Sequence, residues 1–372
     1  MSEEKGKQRL RGFVLFVFVA VGLGLVALGM GIGAASLEGR TQDPPDGGTI
    51  VEVACPDPEG CFLALSRALE RAPHNATLSV GPGLYYEKPM RITQSLTIRG
   101  AGPGKTRIQI VDSGAAFTVE GPDPLAFTLQ DLYLKTRIVE RDVAEGPNRG
   151  LVWRQGPEAG EQALRLENVH VESDEGVAIS AWNGEVAVIR SRIYGVSQGI
   201  SATGGGDLRV RVEESAIQGP LGSSDLSVLS SLSFFGVSLL GKPGGGQIEA
   251  RIEGSQIHGW GRFGVVVGSL SFLGWSRVRA VLEGNRVGFN FGDAGVYLKG
   301  DVEATLVGNR IEFNEGYGVM LLLPPCPPAT SAPEEHYFRG IVSGRDNEFV
   351  GNKKGALCPE APWPEDFVAS DL

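Results

Sequence analysis

The sequence predicts an all-β chain folded as a parallel β-helix, a solenoid of stacked coils, and three observations carry this. First, Arg277 to Leu322 reads as two copies of one pattern. Each copy has an alternating apolar run (Val278, Ala280, Leu282; then Val302, Ala304, Leu306), a Gly-Asn pair, an apolar residue (Val287, Ile311) and a further Asn (Asn290, Asn314). The copies are offset by 24 residues, Asn285 to Asn309, and such a period holds several short strands with their turns. Second, the first Asn slot recurs as Asn or Ser at Asn168, Ser191, Ser215, Ser255 and Asn347. Third, a Gly opens another apolar run at Gly176, Gly199, Gly236, Gly264, Gly295, Gly318 and Gly355.

Each period makes one coil, and coils stack at about 4.8 Å so that every backbone group pairs above and below. Inward positions form apolar columns. Asn285, Asn309 and Asn347 are expected to stack as one hydrogen-bonded ladder, with Asn290, Asn314 and Asn352 as a second. Gly serves where the chain needs positive φ or close approach. On these repeats the chain resembles the right-handed parallel β-helix proteins of the pectin lyase-like superfamily, especially a repeat-only branch similar to periplasmic copper-accessory proteins. The resemblance covers residues 50–358. It implies a single-stranded right-handed parallel β-helix with a short N-terminal capping helix. It carries no metal site over, because the sequence has no Met- or His-rich cluster.

Taken in order, residues 1–11 are polar and basic, and residues 12–35 contain no charge. At 1.5 Å per residue that run exceeds a bilayer core of about 30 Å, so it predicts one transmembrane helix. Basic residues before the span place the N-terminus in the cytoplasm and the β-helix in the periplasm or extracellular space. The apolar core is longer than a signal-peptide h-region, which favours an uncleaved anchor over a cleaved signal. Residues 36–49 are a Pro/Gly/Asp-rich linker, 50–360 the β-helix, and 361–372 an acidic tail. Residues 61–72 have helical apolar spacing and read as the cap over the first coil. A cap is necessary, since an open stack end is an exposed sheet edge. The four cysteines suit an oxidising compartment, with Cys55–Cys61 and Cys326–Cys358 expected as disulfides at the two ends.

Two apolar segments break the period, 221–240 and 268–276. They read as loops packed on the solenoid flank or as a patch facing a membrane or protein partner. On the strand facing outward, Glu185, Arg209, Glu249, Arg279 and Glu303 would stack as an alternating charge row. Glu213, Glu253 and Glu283 would form a row of like charge, offset by Arg211 and Arg251 or by a bound Ca²⁺.

Catalytic constellations of the superfamily are mostly missing. There is no Asp-Asp pair and no Asp-Pro-His-Asp, while Ile257-His258-Gly259 is an echo without partners. Gly83-Leu-Tyr85-Tyr-Glu87 resembles the first signature of pectin methylesterases, but Gln130-Asp131 lacks that family's surroundings. The sequence therefore leans away from an enzyme. It points to a binding or scaffold module, with a polysaccharide-active enzyme and a subunit docked through the apolar loops as alternatives. Trp153, Trp182, Trp260 and Trp275 are the candidates for stacking sugars. A net charge of −10 argues against nucleic acid, and against anionic polymers bound without a cation.

Overall fold

The computed structural model describes residues 41–42, 48–121, 125–136, 149–155, 163–174, 176–204, 206–220, 235–242, 246–269, 277–327, 333–360 and 363–368. The expected transmembrane helix over 12–35, residues 221–234 and 270–276 of the apolar insertions, and Trp275 lie outside the described residues. Among the described residues no helix is long and apolar enough to cross a membrane.

Parallel strands stack into a β-helix with three strand positions per coil. One coil shows the plan: Val278–Glu283 on the first face, Arg286–Gly288 on the second, Ala294–Lys299 on the third. Every pairing between successive coils is parallel, and Val278 stands on Val302 while Val287 stands on Ile311. The first two faces belong to one 21-stranded sheet, because Ala126–Thr136 and Ala163–Ser173 run unbroken through both; the third is a 10-stranded sheet.

The bend between the first and second faces is a single register position. Asp131, Asn168, Arg190, Glu214, Gly254, Gly284, Gly308 and Asp346 occupy it, each with φ between 45° and 62°. Gly284 and Gly308 meet that left-handed requirement without a Cβ penalty. The next residue inward is the predicted ladder. Ser191, Ser215 and Ser255 accept from the backbone N–H of Val169, Ser191 and Ser215, and Asn285, Asn309 and Asn347 continue the chain of bonds at 2.9–3.1 Å. Asn168 is not part of it. Asparagine tolerates the left-handed region, so Asn168 takes the bend position one residue early and bonds Asp131 instead. The second ladder, Asn290, Asn314 and Asn352, also forms, with Nδ2–Oδ1 bonds of 2.7 Å.

The Gly column is tighter than the sequence suggested, and its ends differ. Gly199, Gly236, Gly264, Gly295 and Gly318 share one register position, but Gly176 and Gly355 fall outside it, where Ala178 and Ala356 stand. Close approach, not positive φ, sets the requirement. A Cβ on Gly295 would lie 2.8 Å from Asn314 Nδ2, and one on Gly264 2.9 Å from Asn290 Nδ2. The second Asn ladder and the Gly column are thus two sides of one contact.

Both ends are closed. At the start, the helix Ala64–Leu69 buries Leu65 against the first coils. Glu87 accepts from the backbone N–H of Leu65 (2.7 Å) and Ser66 (3.1 Å) at its first turn. Tyr85 is fully buried with its hydroxyl on Val53 O and Gly81 O, and burial pushes its pKa up to about 12. The esterase-like Gly-Leu-Tyr-Tyr-Glu run is therefore a capping device. At the far end, Asn347 Nδ2 donates to Phe367 O at 3.0 Å and Phe367 is fully buried. Part of the segment read as a tail thus covers the last coil, as an otherwise open edge demands. Cys55–Cys61 and Cys326–Cys358 are both disulfides, consistent with an oxidising, extracytoplasmic location.

Candidate functional site

The first face carries the rows expected from strand parity. Glu185, Arg209, Glu249, Arg279 and Glu303 stand in one register column. Arg209 reaches Glu249 at 3.6 Å and Arg279 reaches Glu303 at 2.6 Å. Glu213, Glu253 and Glu283 also stand in one column. Arg211 pairs with Glu213, while Arg251 spans Glu253 at 2.9 Å and Glu283 at 2.6 Å. The row that sequence offered as a Ca²⁺ site already has guanidinium charge between its carboxylates. Among the described residues no group of three His, Cys, Asp or Glu side chains is placed to hold a metal. These pairs stand at the solvent-exposed surface, where screening keeps ion pairs weak.

The second face is different. Its outward side chains form two columns, each placed by alternation in a short strand and by the coil register. One reads Arg107, Tyr133, His170, Arg192, Ala216, Gln256, Arg286, Arg310; the other Gln109, Lys135, Glu172, Tyr194, Gln218, His258, Gly288, Glu312. Ala216 interrupts the first column and Gly288 the second, so the face dips where the long side chains stop. The result is a depression of about 260 Å³ walled by His170, Arg192, Tyr194, Gln218, Gln256 and His258. A smaller one of about 130 Å³ lies between His258 and Phe289.

Charges at the two ends of this groove are paired. Toward the N-terminus, Lys135 Nζ holds Glu172 at 2.5 Å and Asp174 at 3.5 Å, and the Tyr133 hydroxyl donates to Glu172. Arg107 lies 5.0 Å above the Tyr133 ring and His170 meets that ring edge-on at 4.9 Å. Burial raises the Tyr133 hydroxyl pKa and so does its bond to Glu172. Burial alone would raise both carboxylates, yet they diverge. Lys135 and Tyr133 hold Glu172 below its ordinary value, whereas Asp174 stays above its own. Toward the C-terminus, Arg286 and Arg310 both bond the buried Glu312. Between these ends, the side chains of Arg192, Tyr194, Gln218, Gln256 and His258 make no hydrogen bond or ion pair among the described residues. Burial lowers the pKa of both His170 and His258; neighbouring arginines add to this, and at His170 the Glu172 carboxylate partly opposes it.

Two of the four candidate tryptophans, Trp153 and Trp260, offer no sugar-stacking surface, while Trp182 is half-buried. Trp153 and Trp260 are fully buried, with their indole N–H groups on Asn183 O and Ile217 O. Besides Phe62 near the N-terminal cap, three phenylalanines are exposed: Phe289, Phe291 and Phe313, at 42%, 42% and 46%. Phe289 and Phe313 stack on each other with centroids 5.3 Å apart. Both sit at the bend between the second and third faces with φ of 55° and 51°. The same register position holds glycine in the coils on either side, Gly259 at φ 80° and Gly351 at φ 61°. A left-handed conformation costs a bulky residue about 1–2 kcal/mol, so these rings occupy a place where glycine would be easier. Sequence reasoning missed them and the groove's amides, because each repeat was read for what it shares and these are the residues that vary.

No family model matches the sequence, and no curated protein matches it. Solved structures similar to the chain include Dettilon tailspike protein, at 11% identity and a TM-score of 0.46, covering 83% of this chain and 68% of the other. The catalytic domain of a GH87 α-1,3-glucanase in complex with tetrasaccharides is 13% identical, TM-score 0.47, covering 88% and 69%. An alginate lyase from Paenibacillus sp. str. FPU-7 is 13% identical, TM-score 0.45, covering 85% and 98%.

Proposed function

We propose that this protein is a membrane-anchored, extracytoplasmic β-helix that binds an extended glycan along its second face. The anchor rests on the uncharged run at 12–35. The observation that carries the glycan reading is the unpaired stretch from Arg192 to His258. Five polar side chains, presented by rigid strands and spaced by the coil repeat, have hydrogen-bonding capacity that no group among the described residues uses. A polyhydroxylated chain lying along the axis supplies donors and acceptors at many points. Phosphate- or nucleic-acid-binding surfaces are richer in unpaired cations than this one.

The test is a glycan microarray probed with the full chain, followed by titration of the strongest binder. Gln218→Ala with Gln256→Ala is expected to weaken binding about tenfold, the scale of one lost binding anchor. The same loss in a first-face Arg209→Ala variant would sink the reading, because that face is outside the proposed contact.

One observation favours a second reading, glycoside hydrolysis. Glu172 and Asp174 share Lys135, and their environments push the two carboxyl groups in opposite directions. That is how an acid and a base are set apart in one site. Chromatography of bound oligosaccharides after prolonged incubation separates the readings: shortened products that disappear in Asp174→Asn favour the enzyme.

A further inference from the structure

We infer that Phe289 and Phe313 form a stacking platform for a pyranose ring at one end of the second-face groove, so that the glycan is built of pyranoses with a flat face of axial C–H bonds. This rests on the groove binding a glycan and adds the class of sugar.

The geometry is one-sided. The two rings cover each other at 5.3 Å, and the far side of Phe313 meets Gly351, where a Cβ would lie 2.7 Å from the ring. The remaining ring face is that of Phe289 turned toward Gly259. On that side the same register position is Gly259, then Gly219, then Gly195, so among the described residues three successive coils carry no Cβ at this position. Since coils repeat at about 4.8 Å, a ring laid on Phe289 continues the stack at the spacing that the two phenylalanines already have. The 130 Å³ depression beside Phe289 is lined by Gln256 and His258 as well. A ring placed there has an aromatic face on one side and unpaired hydrogen-bonding groups on the other. A pyranose matches both, with axial C–H bonds for the ring and equatorial hydroxyls for the amide and the imidazole. A wholly apolar occupant would leave Gln256 and His258 unsatisfied.

The left-handed backbone makes the test clean, because glycine is the native residue at this position in the coils above and below. Titration calorimetry of the full chain with cellohexaose, and with a fructofuranose hexamer whose rings lack a flat C–H face, is compared for wild type, Phe289→Gly/Phe313→Gly and Gln256→Ala. The expected result is cellohexaose bound by wild type in preference to the fructan, and weakened at least about tenfold in the double glycine variant. The melting temperature of that variant is expected to stay level or rise. Cellohexaose affinity within about twofold of wild type in the double glycine variant, with Gln256→Ala weakened, overturns the platform and leaves the groove standing. An unchanged affinity in both variants, or no binding by wild type, overturns both. Loss of self-association in place of sugar affinity makes the phenylalanines a protein contact and likewise overturns the inference.

Discussion

The first and second faces are built from the same coils with the same spacing, and they treat charge in opposite ways. On the first, the column Arg209, Glu249, Arg279, Glu303 alternates in sign, and the like-charged Glu253 and Glu283 are bridged by Arg251. On the second, long polar side chains between His170 and Arg286 face outward with no hydrogen bond or ion pair among the described residues. Coil stacking brings side chains of successive repeats within about 5 Å, so any charged row must either complement itself or wait for a ligand. The first face has taken one course and the central second face the other.

Both faces depend on the ladder beneath the bend, and breaking it should give the largest effect. Asn309 accepts from Asn285 N and Nδ2 and donates to Asn347 Oδ1 and Leu282 O. Asn309→Ala strands several of these buried groups, at about 1–3 kcal/mol for each left unsatisfied. Because solenoids unfold in neighbouring units, the loss is expected to be local. Hydrogen exchange should accelerate on both faces of the coils around residues 278–312 and hardly change near Tyr85. Uniform acceleration along the chain would mean that the coils are not held separately by this ladder.

The architecture was legible in the sequence because a solenoid writes its period into every coil. The pairs Asn285/Asn309 and Asn290/Asn314 fixed the register, and that register placed both first-face charge rows. Misplacements came where chemistry mimics the pattern: Asn168 substitutes for a bend glycine, and Gly355 falls one residue away from the Gly column. The groove was hidden for a different reason. Ala216 and Gly288 create it by being small where neighbours are long, and a search for shared features does not register a missing side chain. His258 was visible only as an isolated motif fragment; its neighbours Gln218, Gln256 and Arg286 come from other coils.

A smaller effect is expected on the first face. Arg251 is about half exposed, as are its partners Glu253 and Glu283. Screening discounts such pairs, so Arg251→Ala should destabilise by about 0.2–1 kcal/mol, less at high salt. Glycan affinity should stay at the wild-type level. Denaturant melts at low and high ionic strength measure the first, and titration with the best array ligand the second. A drop in glycan affinity would erase the contrast between the faces.

The smallest effect is a difference in pH response. His258 faces Arg286, and its pKa lies below the ordinary imidazole value of 6.5 because burial disfavours the charged ring and Arg286 repels it. The unfolded chain therefore takes up a proton before the folded one. Stability contributed here is constant above 6.5 and falls as pH drops through the window below it. Glu303 on the first face behaves differently: its bonds to Arg279 and Arg277 hold it below 4.5, so its contribution persists until pH falls past that value toward the folded pKa. Mild acidification should thus act on the second face first. Proton NMR of the imidazole of His258 is expected to show a midpoint below 6.5, moving upward in Arg286→Gln as the repulsion is removed. A midpoint at or above 6.5 in the wild type would mean that solvent already reaches this ring, and the groove would then be shallower than its walls imply.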